Sequence, residues 1–280
     1  MTMTAETHRI GLRRLAELGP AMRGLTTTAA GLADAAAART LVTFDSPSLD
    51  SALPEGGLRR GAVHEILGPG RDRRGDGAAA AFAAVLLGRL MQTDPARRPA
   101  VWCSNRRVAL RQADLAGRPY PLGLAGFGVA VDRLLFVESA SDGEALWATE
   151  ETARSAAAAV LVVELGRLPA VAARRLQLAA EASNTAVLAL RSASDGVGNG
   201  FVHSRWQLQT VPATASVSAG ECRWRLDLLR CRGSWGIRGG GGRASWLLRW
   251  RNGRLRSEPW QDERPETPAE RHPPALRMAR

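Results

Sequence analysis

The chain has 280 residues and a formal net charge of +11, and every one of its 38 basic positions is Arg, with no Lys anywhere. That length suits one large α/β domain with extensions, and the polar start and the lack of an apolar run longer than Ala78 to Leu87 give no sign of a secretory signal or a membrane span. Cys103, Cys222 and Cys231 have no metal-ligand spacing and are odd in number, which points to reduced thiols in the cytoplasm, while the basic balance favours acidic partners, DNA among them.

In chain order, Ile10, Leu12, Leu15, Leu18 and Met22 are spaced for one face of a short helix, and Thr26 to Arg39 is an Ala- and Thr-rich linker, so residues 1–40 form an N-terminal helix and linker. The core is expected over 41–200. Its first strand is Ala62 to Leu67, and a helix of small and aliphatic residues follows from Ala78 to Met91. Further strands are expected at Ala100–Cys103, Leu134–Val137, Ala159–Val163 and Thr185–Leu190. Helices are expected at 106–115, at Gly143–Ala158 with Glu144, Glu150 and Glu151 toward solvent, and at Pro169–Ser183. Strands alternating with helices predict a mostly parallel sheet covered on both faces.

After Ser192 the pattern becomes period-two. Ser204–Val211, Cys222–Cys231 and Ala244–Trp250 alternate apolar and polar residues, so 201–256 is expected to be an antiparallel β extension of the same domain. This spacing puts Trp206, Trp224 and Trp246 in the core. Residues 257–280 carry Pro259, Pro265, Pro268, Pro273 and Pro274 and have little to bury, which predicts a disordered tail. The histidines, at 8, 64, 203 and 272, are too scattered to propose a metal site, and His64 reads as structural.

The run from Phe44 to Pro69 resembles the entry to a RecA-like nucleotide-binding core, with Ser46-Pro47-Ser48-Leu49-Asp50 and Gly56-Gly57-Leu58-Arg59-Arg60-Gly61 as its two turns. A working phosphate loop there reads Gly-x-x-x-x-Gly-Lys-Ser/Thr: backbone N–H groups cradle the phosphates, the Lys reaches the β- and γ-phosphates, and the hydroxyl holds Mg²⁺. Here the loop is Gly68-Pro69-Gly70-Arg71-Asp72-Arg73-Arg74-Gly75-Asp76-Gly77. Without gaps, Arg73 takes the second Gly place, Arg74 the Lys place and Gly75 the hydroxyl place. With a short insertion, Asp76 and Gly77 take the last two. Both alignments lose the hydroxyl, and Arg is a poor substitute for a compact ammonium.

The later landmarks also resemble that core and also depart from it. Asn105 or Arg106 stands where a water-activating Glu belongs, Glu164 where the Walker B Asp belongs, and Arg191 near the nucleotide-sensing Gln. The fold is expected to be kept and the ATPase chemistry lost, with no cofactor and no catalytic residue.

A degenerate, Arg-rich RecA-like chain with a Trp-containing β C-terminus resembles the ImuA family of damage-inducible mutagenesis proteins. The pattern from Trp224 to Gly233 and Trp246-Leu247-Leu248-Arg249-Trp250 carry that resemblance best. It implies an SOS-induced, non-catalytic adaptor of a translesion-synthesis complex. The implied partners are RecA, a polymerase-like ImuB protein and, indirectly, an error-prone replicative-type polymerase. In RecA-like filaments an N-terminal element packs onto the neighbouring core, so residues 1–40 are expected to dock RecA. A divergent DNA-dependent ATPase and a SulA-like cell-division inhibitor are the alternatives. Candidate DNA or partner contacts are Arg71, Arg73, Arg74, Arg249, Trp250, Arg251, Arg254 and Trp260, because clustered arginines beside aromatics suit phosphate or protein contact.

Overall fold

The structure is a computed structural model that describes residues 41–69, 77–105, 119–193, 201–212, 220–233 and 244–260. The expected N-terminal helix and linker, the 106–115 helix and the 261–280 part of the tail lie outside the described residues.

Strands β1 (Leu41–Val42) and β2 (Leu58–Arg59) pair antiparallel around the short helix α1 (Pro47–Asp50). The two entry turns have clear physical work. Asp50 turns back on the chain, its carboxylate accepting the backbone N–H of Phe44 at 2.7 Å and of Ser46 at 3.1 Å. Gly61 adopts φ +55° against the carbonyl of Ala180, a conformation that disfavours a side chain.

The central sheet then forms from β3 (Val63–Gly68), β4 (Ala100–Asn105), β5 (Leu134–Ser139), β6 (Val160–Glu164), β7 (Ala186–Ser192), β8 (Ser204–Thr210), β9 (Cys222–Cys231), β10 (Ala244–Arg251) and β11 (Arg254–Pro259). Its spatial order is β11-β10-β9-β8-β3-β7-β6-β4-β5. Strands β3 to β8 run parallel, and β9, β10 and β11 continue antiparallel. This is the expected α/β architecture with a C-terminal antiparallel extension.

Two details differ from the sequence reading. β8 pairs parallel with β3, so the antiparallel part begins one strand later than the alternation implied. A strand also continues past residue 256: β11 runs to Pro259, paired with β10 through the Asn252-Gly253 turn, so 257–259 is sheet and not tail.

Helix α2 (Ala78–Gln92) covers one face of the sheet. It is apolar nearly all round, which suits a helix buried on most sides. Gly88 lets it approach the chain at Phe127–Gly128, because a Cβ there would meet the Gly128 carbonyl at 2.8 Å. The same core takes in Phe44, Phe82, Trp102 and Trp206 and extends to Trp224, Trp246 and Trp250. The short helix α3 (Pro121–Ala125) borders it through Leu124. Helices α4 (Asp142–Arg154) and α5 (Ala170–Ser183) cover the other face in a second core. α4 starts on a capping arrangement: Ser141 Oγ accepts the Glu144 N–H, and Glu144 accepts the Ala140 N–H at 2.9 Å. Glu150, expected toward solvent, is buried and pairs with Arg154 at 2.6 Å and Arg175 at 2.7 Å.

His64 shows why a polar residue sits in the central strand. Its Nε2 donates to the Arg59 carbonyl, which can only accept, and its Nδ1 then accepts from Ser204 Oγ, both at 2.7 Å. Ser204 Oγ in turn accepts the Trp206 indole N–H. Burial holds this imidazole neutral, with its pKa down to about 3. No described helix is long and apolar enough to cross a membrane.

Candidate functional site

In an open parallel sheet, ligands bind where the carboxyl ends of the strands open into loops. Here those ends belong to β3, β7, β6 and β4, and the residues predicted to bear chemistry meet there. Gly68 and Pro69 close β3, and Gly77 stands before α2. Arg71, Arg73, Arg74, Gly75 and Asp76 lie outside the described residues.

Glu164 ends β6 and faces the α2 side of the sheet, as its alternation with Val160 and Val162 requires. Its Oε1 accepts the Trp102 indole N–H at 2.9 Å, while its buried Oε2 has no hydrogen-bond partner among the described residues. Burial pushes its pKa up to about 7, and the Trp102 hydrogen bond offsets only part of that effect.

Asn105 ends β4. It is buried and donates to Asp142 Oδ1 at 2.7 Å. Asp142 also accepts the backbone N–H of Gly166 at 3.0 Å and of Arg167 at 2.9 Å. One carboxylate at the start of α4 therefore ties the end of β4 to the turn after β6. A carboxylate in place of Asn105 would face Asp142.

Arg191, near the expected sensor position, lies within β7 at 2% exposure and turns to the α5 side of the sheet. It pairs with Glu65 of β3, and Arg205 of β8 pairs with the other carboxylate oxygen of the same Glu65. Three adjacent strands are thus joined by a buried Arg–Glu–Arg set. Such a set is costly to break, because removing one partner strands a buried charge. Glu65 and Arg205 escaped the sequence reading. Their signal was present: a charge inside the apolar run Val63 to Leu67 demands a buried partner.

The C-terminal candidates divide by strand alternation. Arg249 and Arg251 of β10 and Arg254 of β11 lie on the sheet face away from the core. Trp250, expected as a contact, points the other way. It is 7% exposed, packs on Phe127 and donates to the Gly126 carbonyl at 3.3 Å, so it serves the core. Trp260 extends the β10 pairing through its N–H to the Ser245 carbonyl, and the Arg225 guanidinium lies 4.9 Å from its ring centroid. Cys103 and Cys231 are buried, and burial pushes their thiol pKa up to about 12 and about 11, so neither is a thiolate at neutral pH. Among the described residues no His, Cys, Asp and Glu cluster could hold a metal ion.

No protein-family model matches the chain. Comparison with curated proteins finds Protein ImuA of Caulobacter vibrioides, strain NA1000 / CB15N, 31% identical over 205 residues, covering 69% of this chain and 79% of that protein. Protein ImuA of a second strain of the same species, ATCC 19089 / CIP 103742 / CB 15, matches with the same identity and coverage. With that identity over most of both chains, the chain belongs to the ImuA family.

Proposed function

We propose that this protein is a non-catalytic adaptor of a damage-induced mutagenesis complex, acting in the cytoplasm with RecA and an ImuB-type polymerase-like partner in translesion synthesis. The observation that carries this reading is the fate of the residues at and near the strand ends: Asn105 donates to Asp142, one Glu164 oxygen accepts from Trp102, and Arg191 pairs with Glu65. Phosphoryl transfer needs positioned charge and a bound metal. Side chains held in these contacts supply no set of positioned charges for a magnesium-bound nucleotide.

The far edge of the sheet supports docking. Among the described strands β5 pairs only with β4, and it exposes Leu135 at 36% and Phe136 at 41%. Trp147 of α4 is also exposed. An apolar edge strand is a template for a strand from another chain. We assign that edge to RecA as a second contact beside the one expected of residues 1–40.

The test is co-purification of tagged full-length protein from DNA-damaged cells. RecA and the polymerase-like partner should both be recovered. The variant Leu135→Asp/Phe136→Asp should stay folded, because both positions are exposed, and should lose RecA while keeping the other partner. Equal RecA recovery by the variant would move the RecA surface away from β5. Recovery of neither partner by the unaltered protein would remove the adaptor reading.

A further inference from the structure

The antiparallel end of the sheet shows the core one face only. Trp224, Trp246, Leu248 and Leu255 point inward. The alternating positions Arg223, Arg225, Arg249, Arg251, Arg254 and Arg256 therefore point the other way. The register sets these arginines against one another. Arg223 stands opposite Arg249, Arg249 opposite Arg256, and Arg251 opposite Arg254. Like charges directly opposite destabilise a sheet. Among the described residues Asp227 meets Arg225 at 3.0 Å and Glu258 meets Arg249 at 3.4 Å. Arg251, Arg254 and Arg256 are exposed and make no ion pair among the described residues. Arginines that deter edge-to-edge pairing would account for β11 alone. They do not account for a row that crosses β9, β10 and β11.

We propose that this face binds single-stranded nucleic acid through its phosphates, with Trp260 and Arg225 as a stacking platform for a base. A polyanion relieves the repulsion built into the row, and the guanidinium fork donates to phosphate oxygens two at a time. A phosphodiester backbone crossing the strands meets a guanidinium on each, at the strand spacing of roughly 4.8 Å. Among the described residues this face carries no helix or projecting ribbon of the kind that enters a duplex groove, whereas an aromatic beside a guanidinium suits unpaired bases. An acidic protein fits less well. The middle of the face holds one apolar side chain, Leu247, set between Arg225 and Glu258, and the centres of protein interfaces are apolar and poor in charge. This surface is separate from the strand ends and from the β5 edge, so it stands or falls independently of the adaptor reading.

The test is fluorescence anisotropy of the full chain with a labelled single-stranded oligonucleotide over a salt series. Arg254→Ala/Arg256→Ala is compared with Arg167→Ala/Arg174→Ala, an exposed pair elsewhere on the molecule that removes the same charge. The first pair should weaken binding roughly tenfold or more and reduce the slope of log K against log salt by about 1.4. The second pair should change neither by more than about twofold. Trp260→Ala should lower affinity and leave the salt slope unchanged. The proposal is overturned by no binding at low salt, by equal losses in the two double variants, or by a duplex of the same sequence binding as tightly. A polyglutamate peptide that binds with the same dependence on Arg254 and Arg256 would identify an acidic protein as the occupant instead.

Discussion

At Glu164 protonation and folding are linked with a definite sign. Its folded pKa is about 7, above the ordinary carboxyl value of 4.5. Between those values the folded protein holds a proton that the unfolded chain releases. The contribution is therefore full below about 4.5 and is lost as pH rises through 7. Glu164→Gln keeps the acceptor for Trp102 and removes the titration. The urea-derived stability of this variant should gain on the parent by roughly 2–3 kcal/mol between pH 4.5 and pH 8.5. His64 contributes a slope of opposite sign, since its neutral form is buried and the unfolded imidazole takes up a proton below about 6.5. That slope is common to both proteins and cancels in the difference. A gap between the two proteins that stays constant with pH would mean that the carboxyl is ionised and solvated in the fold.

Among the elements, β11 is the one whose boundary matters for experiment. Leu255 is buried opposite Trp250, and Ser257 hydrogen-bonds Ser48 of α1 and Ser46 just before it, so β11 fastens α1 to the end of the sheet. Truncation after Trp250 removes this strand together with the exposed arginines. It should lower stability by roughly 2–4 kcal/mol from lost Leu255 burial and ladder hydrogen bonds, read as a fall in the urea midpoint. An unchanged midpoint would show that β11 is dispensable. Truncation after Trp260 leaves the sheet whole and is the cleaner way to ask what the tail does.

The parallel core is legible in the sequence because each of its strands is a short apolar run between turn residues, and each helix starts or stops on an identifiable signal. The direction of β8 is not legible. An alternating strand beside β3 reads the same whether its neighbour runs with it or against it. β11 escapes because Arg254 to Pro259 has one large apolar residue, Leu255, and so looks like a tail. Trp250 shows the limit of composition: Arg249 and Arg251 beside it suggest a contact, yet strand alternation sends the three side chains to different faces.

For the whole molecule, the site is legible as a set of losses. Absent Lys, absent hydroxyl and displaced acids can be read one position at a time. What replaces them cannot, because the replacements are long-range. Glu65 finds Arg191 and Arg205 at separations of 126 and 140 residues, and Asn105 finds Asp142 at 37. On the proposed function the strand ends hold the fold together, the outer surfaces meet the partners, and no nucleotide chemistry takes place at the strand ends. Titration calorimetry of the full chain with ATP and Mg²⁺ tests this most directly, followed by a phosphate-release assay on the same sample with and without single-stranded DNA. The account predicts no saturable heat and no phosphate release. Saturable binding with turnover that disappears in Glu164→Ala would contradict it.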